Sequence, residues 1–145
     1  MTKYNKTDNK VILDAEDDAV AVNMGGEWHM PIKEQCEELL NTEYVTNEWI
    51  ENYNNSGIKG RLFTSVSNGN TLFIPTAGFN ESSRSNAVGS AGFVWLSSLY
   101  DGSSIDEAYY LYFDSSRKDI SSTRDRCGGL SVRGVIGKID DTILI

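Results

Sequence analysis

The sequence is poor in the residues that build metal and redox centres: its 145 residues include two cysteines and one histidine. Two cysteines, Cys36 and Cys127, do not make a disulfide framework. A lone His29 with no C-x-x-C spacing gives no zinc constellation. Cys36 sits among apolar helix positions and Cys127 near the last strand. Both are therefore read as small, semi-buried thiols, with a single disulfide left open. Basic charge is also scarce: 13 Lys and Arg stand against 21 Asp and Glu, a net charge of −8. That balance argues against nucleic acid and anionic lipid as partners, since both need clustered cations. No apolar run reaches the roughly 18 residues of a membrane span, so no membrane insertion is expected. The opening "MTKYNKTDNK" is polar throughout and does not read as a signal peptide. The expectation is a protein made for the cytosol or a particle assembled there, or one whose leader or upstream domain has been removed. The sequence also lacks internal repeats and low-complexity segments, and its length suits one domain with a real core.

What is present begins with helix signals. "LDAEDDAVAVNMGG" reads as a short helix with Asp14 as cap, Glu16 and Asp17 in its first turn, and Gly25 or Gly26 at its end. The acidic run lacks the D-x-D-x-D-G spacing of a calcium loop, so a dipole-complementing helix start is the reading taken. In "EWHMPIKEQCEELLNT", Pro31 marks a helix start. Ile32, Cys36, Leu39 and Leu40 share one face, while Lys33, Glu34, Glu37 and Glu38 face water. No acid or nucleophile accompanies His29, which reads as a hydrogen-bonded structural residue.

The period then changes to two. "RLFTSV" and "TLFIPTA" flank the turn "SNGN" as a hairpin. "GFVWLSSLY", "AYYLYFDSS" and "GLSVRGVIG" follow as strands separated by Ser, Gly and Asp-rich loops, and "KIDDTILI" reads as a short terminal strand. Helices first and strands afterwards predict an α+β fold with two N-terminal helices and a mainly antiparallel sheet. In "AYYLYF", alternation turns Tyr109, Leu111 and Phe113 inward and leaves Tyr110 and Tyr112 outward. Two adjacent tyrosines on an outer face need a reason. Tyrosine offers large, rigid contact area with a hydrogen-bonding tip, as in antibody paratopes. The structural alternative is that both pack on a neighbouring strand, a loop or a second subunit.

The order of the motifs "VNMGGEWHMP", "FIPTAGF", "GSAGFVWLSSLY", "AYYLYFDSS" and "RCGGLSVRGVIG" resembles the Fibrobacter succinogenes major paralogous domain family. The resemblance runs from about Leu13 to Lys138, in effect a single domain over the whole chain. It implies a C-type lectin-like fold, related also to the formylglycine-generating enzyme domain. The "SVRGVIG" and "VNMGG-WHMP" runs look more like the phage-associated members than the surface-lipoprotein members. The chain departs from the family pattern at Val94–Ser98, where many members have Tyr-Trp-Ser-Ser-Ser. It departs again at Leu130–Val135, where many have Phe-Ser-Val-Arg-Pro-Val.

The resemblance further implies that the C-terminal strands and loops form a ligand-binding face. In several members that face is rewritten at adenines by a diversity-generating retroelement. The face so implied comprises Ala91, Phe93, Tyr110 and Tyr112 on the strands, with Tyr100, Asp101, Ser104, Ile105, Thr123, Arg124, Asp125 and Gly128 in the loops. None of these is Glu, Lys, Gln, Met or Trp, the types such rewriting cannot produce. Glu107 is one of them, so it would be fixed or lie outside the rewritten set. Trp95, Leu111, Phe113, Leu130 and Val132 are expected as core. Gly89, Gly92 and Gly129 are expected where the backbone turns or is closely approached. Arg126 and Arg133 are expected in structural ion pairs or backbone hydrogen bonds.

The function implied is a non-enzymatic receptor-binding domain of a phage tail fibre or variable protein, located on the virion. Its partner would be a bacterial surface protein or glycan, its display a trimer or multimeric fibre, and no cofactor is expected. The alternative is an adhesin domain of a bacterial surface or pilus protein. A formylglycine-generating-type enzyme is less favoured, because Cys36 and Cys127 are not placed as its copper-binding pair. The Glu-Pro-Asn, Gln-Pro-Asp and Trp-Asn-Asp triplets of calcium-dependent sugar lectins are absent from the sequence.

Overall fold

The first helix begins four residues later than the acidic run suggests. In the computed structural model, which describes residues 3–102, 104, 106–120 and 123–136, α1 spans Ala19–Met24. Its cap is Asp18, not Asp14: Asp18 Oδ1 accepts from the Val20 and Ala21 amides at 2.9 and 3.0 Å. The second oxygen of this buried carboxylate accepts from the Met30 amide at 2.9 Å, tying α1 to the strand β1, Trp28–His29. Gly25, at φ 68°, ends the helix in a conformation that costs glycine little. Asp14, Glu16 and Asp17 instead form a turn outside the helix and gather around the Lys3 ammonium. The local cation, not the helix dipole, neutralises them.

The second helix, α2 (Lys33–Leu40), buries Cys36 and Leu39 as its periodicity predicts, with Leu40 half-buried. Its start is pinned from two sides. Gln35 Oε1 accepts from the Ile32 amide at 3.1 Å, and Ser98 Oγ accepts from the Lys33 amide at 2.8 Å.

The strands form separate small sheets, and every pairing between named strands is antiparallel. β2 (Val45–Ile50), β3 (Gly60–Ser65) and β4 (Thr71–Pro75) make one sheet, the last two being the expected hairpin. β5 (Phe79–Glu81) and β6 (Arg84–Asn86) make a short polar hairpin. β7 (Gly92–Leu99) and β8 (Glu107–Phe113) are the longest pair, and β9 (Lys118–Asp119) and β10 (Thr123–Asp125) both add to β8. Finally β11 (Val135–Ile136) pairs with β1, bringing the last described residues against the segment that follows α1.

The segment "GLSVRGVIG" is not the long strand its alternation suggests. It touches the sheets through single bridges at Gly129 and Ser131 before β11. The expected terminal strand in "KIDDTILI" lies outside the described residues.

The main core lies between α2, the β2–β4 sheet and one face of β7–β8. Phe63 and Phe113 are fully buried at its centre, with Leu96, Leu111, Val94, Ile74 and Ile120 around them. Gly92 is where the sheet needs a bare backbone: a Cβ there would stand 2.0 Å from Phe113 Cζ. Arg61, only 7 % exposed, joins the two sheets by donating to Asn47 Oδ1 at 2.8 Å and to the Asp114 carbonyl at 2.7 Å. Burial lowers its pKa from the ordinary arginine value.

Three expected core residues are placed otherwise. Val132 is 46 % exposed, since the irregular segment around it has no sheet face to bury it against. Trp95 pairs with Tyr110 and lies half-buried on the opposite face of β7–β8, with Leu130 beside it. Strand alternation requires this, because Phe93 and Trp95 are two residues apart and share a face.

Candidate functional site

The β7–β8 face turned away from the main core carries Ala91, Phe93, Tyr110 and Tyr112, as alternation predicts. It is not a wet face. Ala91, Phe93 and Tyr110 are 4, 6 and 7 % exposed, and only Tyr112 is half-buried. They form a second hydrophobic cluster with Phe79, Ala87, Trp95 and Leu130. The cover comes from the β5–β6 region and the loop after β10. Phe79 meets Phe93 edge-on with ring centroids 4.8 Å apart. Phe93 in turn packs against Tyr110 at 5.7 Å and Tyr112 at 5.2 Å, and Trp95 meets Tyr110 at 6.1 Å. The Asn80 and Gly129 backbones exchange hydrogen bonds at 2.7 and 2.9 Å, joining the two parts of the cover. The Ser131 backbone fastens it to the sheet by donating to the Phe93 carbonyl at 3.2 Å and accepting from the Trp95 amide at 2.9 Å.

Two arginines edge this cluster. The Arg124 guanidinium carbon lies 3.8 Å from the Phe79 ring centroid and 5.9 Å from that of Phe93, with Glu81 at 4.0 Å. Arg117 lies 4.5 Å over Tyr112. The Tyr112 hydroxyl donates to Asp114 Oδ2 at 2.6 Å. Asp114 Oδ1 accepts from the amides of Ser116 and Arg117 and from the Ser116 hydroxyl. Led by the Tyr112 hydroxyl, these donors hold the Asp114 carboxyl well below its usual range. The same bond raises the Tyr112 phenol above its usual value.

The other residues of the implied face do not converge there. In β10, Arg124 pairs with Ala108 and so shares the aromatic face, whereas Thr123 and Asp125 pair with Tyr109 and Glu107 and point the other way. The Thr123 hydroxyl donates to Glu107 Oε2 at 2.7 Å, and Asp125 stands opposite the like-charged Glu107. Tyr100 meets the edge of Tyr109 at 5.8 Å, and Asp101 Oδ1 accepts from the Tyr109 hydroxyl at 3.4 Å. Lys33 of α2 lies 4.6 Å over the same Tyr109 ring, which packs against the main core. Gly128 is half-buried and gives its carbonyl to Trp95 Nε1 at 3.3 Å. Ser104 is half-buried, and Ile105 lies outside the described residues.

Both cysteines are free. Cys36 is 2 % exposed and its thiol is pushed up to about 12 by burial, so it stays protonated and unreactive. Cys127 is exposed, contrary to the semi-buried position expected, because its turn lies beyond the end of β10. His29 is buried and its Nδ1 lies 2.7 Å from the Met30 carbonyl, the structural role expected of it. Arg126 takes part in the turn through its amide, which donates to the Asp106 carbonyl at 2.8 Å. Arg133 is exposed and makes neither an ion pair nor a backbone hydrogen bond among the described residues, where one or the other was expected.

Sequence reasoning missed Phe79, Trp95 and Leu130 as members of the aromatic face. The only signal available was the two-residue spacing of Phe93 and Trp95. Phe79 lies on a three-residue strand with polar neighbours, below the length at which a period can be read. No family model, curated protein sequence or solved structure matches the chain.

Proposed function

We propose that the chain is a non-enzymatic receptor-binding domain of C-type lectin-like fold. It recognises a bacterial surface protein or glycan through its C-terminal strands and loops, as the tip of a phage tail fibre or as a retroelement-diversified variable protein. The observation that carries this reading is the convergence of Phe93, Tyr110, Tyr112 and Arg124, from three strands, into one aromatic patch edged by cations. Rigid aromatics with arginine at the rim are the composition of interface hot spots. The reachable part of the patch is its rim, Tyr112, Arg117 and Arg124. A partner would engage these first, with the buried rings holding them in place. The adhesin alternative uses the same rim and differs only in where the domain is displayed.

The test is adhesion of the purified, fluorescently labelled protein to intact gut Bacteroidetes cells. Binding that saturates in the parent and falls at least tenfold in a folded Tyr112→Ala/Arg124→Ala protein supports this face. Equal binding by parent and variant removes the assignment. Sequencing the flanking DNA decides between fixed and diversified use. A second copy of the segment coding residues 78–137, differing almost only at its adenines and lying beside a reverse transcriptase gene, marks the contact positions one by one.

A further inference from the structure

On the other side of β7–β8, at the edge of the main core, lies a pocket of about 220 Å³ that opens to solvent past the exposed Thr71, Arg133 and Ile136. Its walls include Cys36, Leu39, Ile74, Leu96 and Leu111, each no more than 6 % exposed. Well-packed interiors leave few voids larger than a water molecule. A space of this size deprives its lining atoms of partners on one side. Water does not fill such a space well, because the buried lining offers it few hydrogen bonds. Apolar cavities of ~150 Å³ admit benzene, so about 220 Å³ scales to roughly eight to nine carbon atoms.

The segment running from Arg133 to Ile136 closes one side. It is held by the two-residue pairing of β11 with β1 and by close packing at Gly134, where a Cβ would stand 2.8 Å from Val20 Cγ1. Arg133 is both a lining residue and exposed, which leaves the mouth of the pocket within reach of its guanidinium. It has no acid partner among the described residues. A guanidinium fork so placed matches a carboxylate in geometry and charge.

We propose that this cavity is a second binding site, for a carboxylate-headed, straight-chain apolar ligand of about eight carbons. The chain fills the space between Leu39 and Leu96, and the carboxylate pairs with Arg133. The site lies on the face of β7–β8 opposite the aromatic patch and does not depend on the function proposed for that patch.

The experiment is thermal unfolding of the full chain against increasing concentrations of straight-chain carboxylates from about four to about twelve carbons, with octanol and octylamine as head-group controls. The expected result is a saturable rise in midpoint, largest near octanoate, smaller for octanol and absent for octylamine. Arg133→Gln weakens octanoate at least tenfold and leaves octanol unchanged. Leu39→Phe, which fills the space, removes the octanoate effect. Should that variant not fold, Arg133→Gln decides alone. Quenching of Trp28, a wall residue, by 2-bromooctanoate in a Trp49→Phe/Trp95→Phe background fixes the location. The proposal is overturned by the absence of a saturable rise, by a rise with no chain-length optimum, or by one that survives Arg133→Gln intact.

Discussion

The two faces of the β7–β8 pair make the most instructive comparison in the molecule. The face toward α2 is packed with Val94, Leu96, Leu111 and Phe113, with the buried Cys36 and the half-buried Trp49 and Tyr109 in the same cluster. The face toward β5–β6 is built from Phe93, Trp95, Tyr110 and Tyr112, closed by Phe79 and edged by Arg117 and Arg124. Aliphatic packing is non-directional, so the first face specifies volume. Aromatic pairs have preferred angles, and tyrosine keeps a polar tip, so the second specifies orientation and a wet edge. One pair of strands thus carries a largely aliphatic core on one face and a covered aromatic cluster with a half-buried polar edge on the other.

That comparison breaks if the two faces respond alike to substitution. The largest effect is expected at Phe113, fully buried in the main core: Phe113→Ala should cost about 4 kcal/mol in a denaturant titration. Phe93→Ala on the aromatic face should cost less, about 3 kcal/mol, because the rings over it can settle into the space. Equal or reversed costs would show that the aromatic face is core like the other. Tyr112→Phe keeps the ring and removes the hydroxyl bond to Asp114, for a loss of about 1 kcal/mol by the same titration. Arg124→Ala should cost less than about 1 kcal/mol of stability, as expected of a partly exposed cation–π contact, and on the function proposed above should weaken cell adhesion.

The faces also respond to opposite ends of the pH scale. Cys36 is neutral in the folded protein, with its pKa raised from 9.0 to about 12. Its contribution is complete below pH 9.0 and is lost as pH rises toward about 12, because only the unfolded chain ionises there. Asp114 is the reverse. Its pKa lies below the ordinary 3.8, so its contribution is present above that value and fades as pH falls beneath it. Cys36→Ala should flatten the alkaline limb of stability against pH, and Asp114→Asn the acid limb.

Much of the scaffold is legible in the sequence because its patterns are long. The eight-residue face of α2 and the alternation in β3, β4 and β8 carry enough positions to define a period. The mixed, mainly antiparallel architecture follows from them. β5, β6 and β10 have three residues each and mostly polar ones, so they carry no period at all. β2 reads as polar because five of its six residues are exposed or half-buried. The aromatic face was legible as a set of residues but not as a covered one. Its lid is the very hairpin that leaves no pattern. The grip of Asp18 on β1 is hidden too, since a carboxylate serving two elements looks like any other in an acidic run.

The unequal state of the two thiols has a practical side. Cys36 is sealed in the core and held protonated, whereas Cys127 is exposed in the turn whose next residue, Gly128, accepts from the Trp95 indole of the aromatic face. A maleimide dye added to the unmodified protein near neutral pH will therefore attach at one place. That place adjoins the surface whose occupancy is in question. The chain carries its own single labelling handle, and a fluorophore there can report a partner's arrival with no engineered residue.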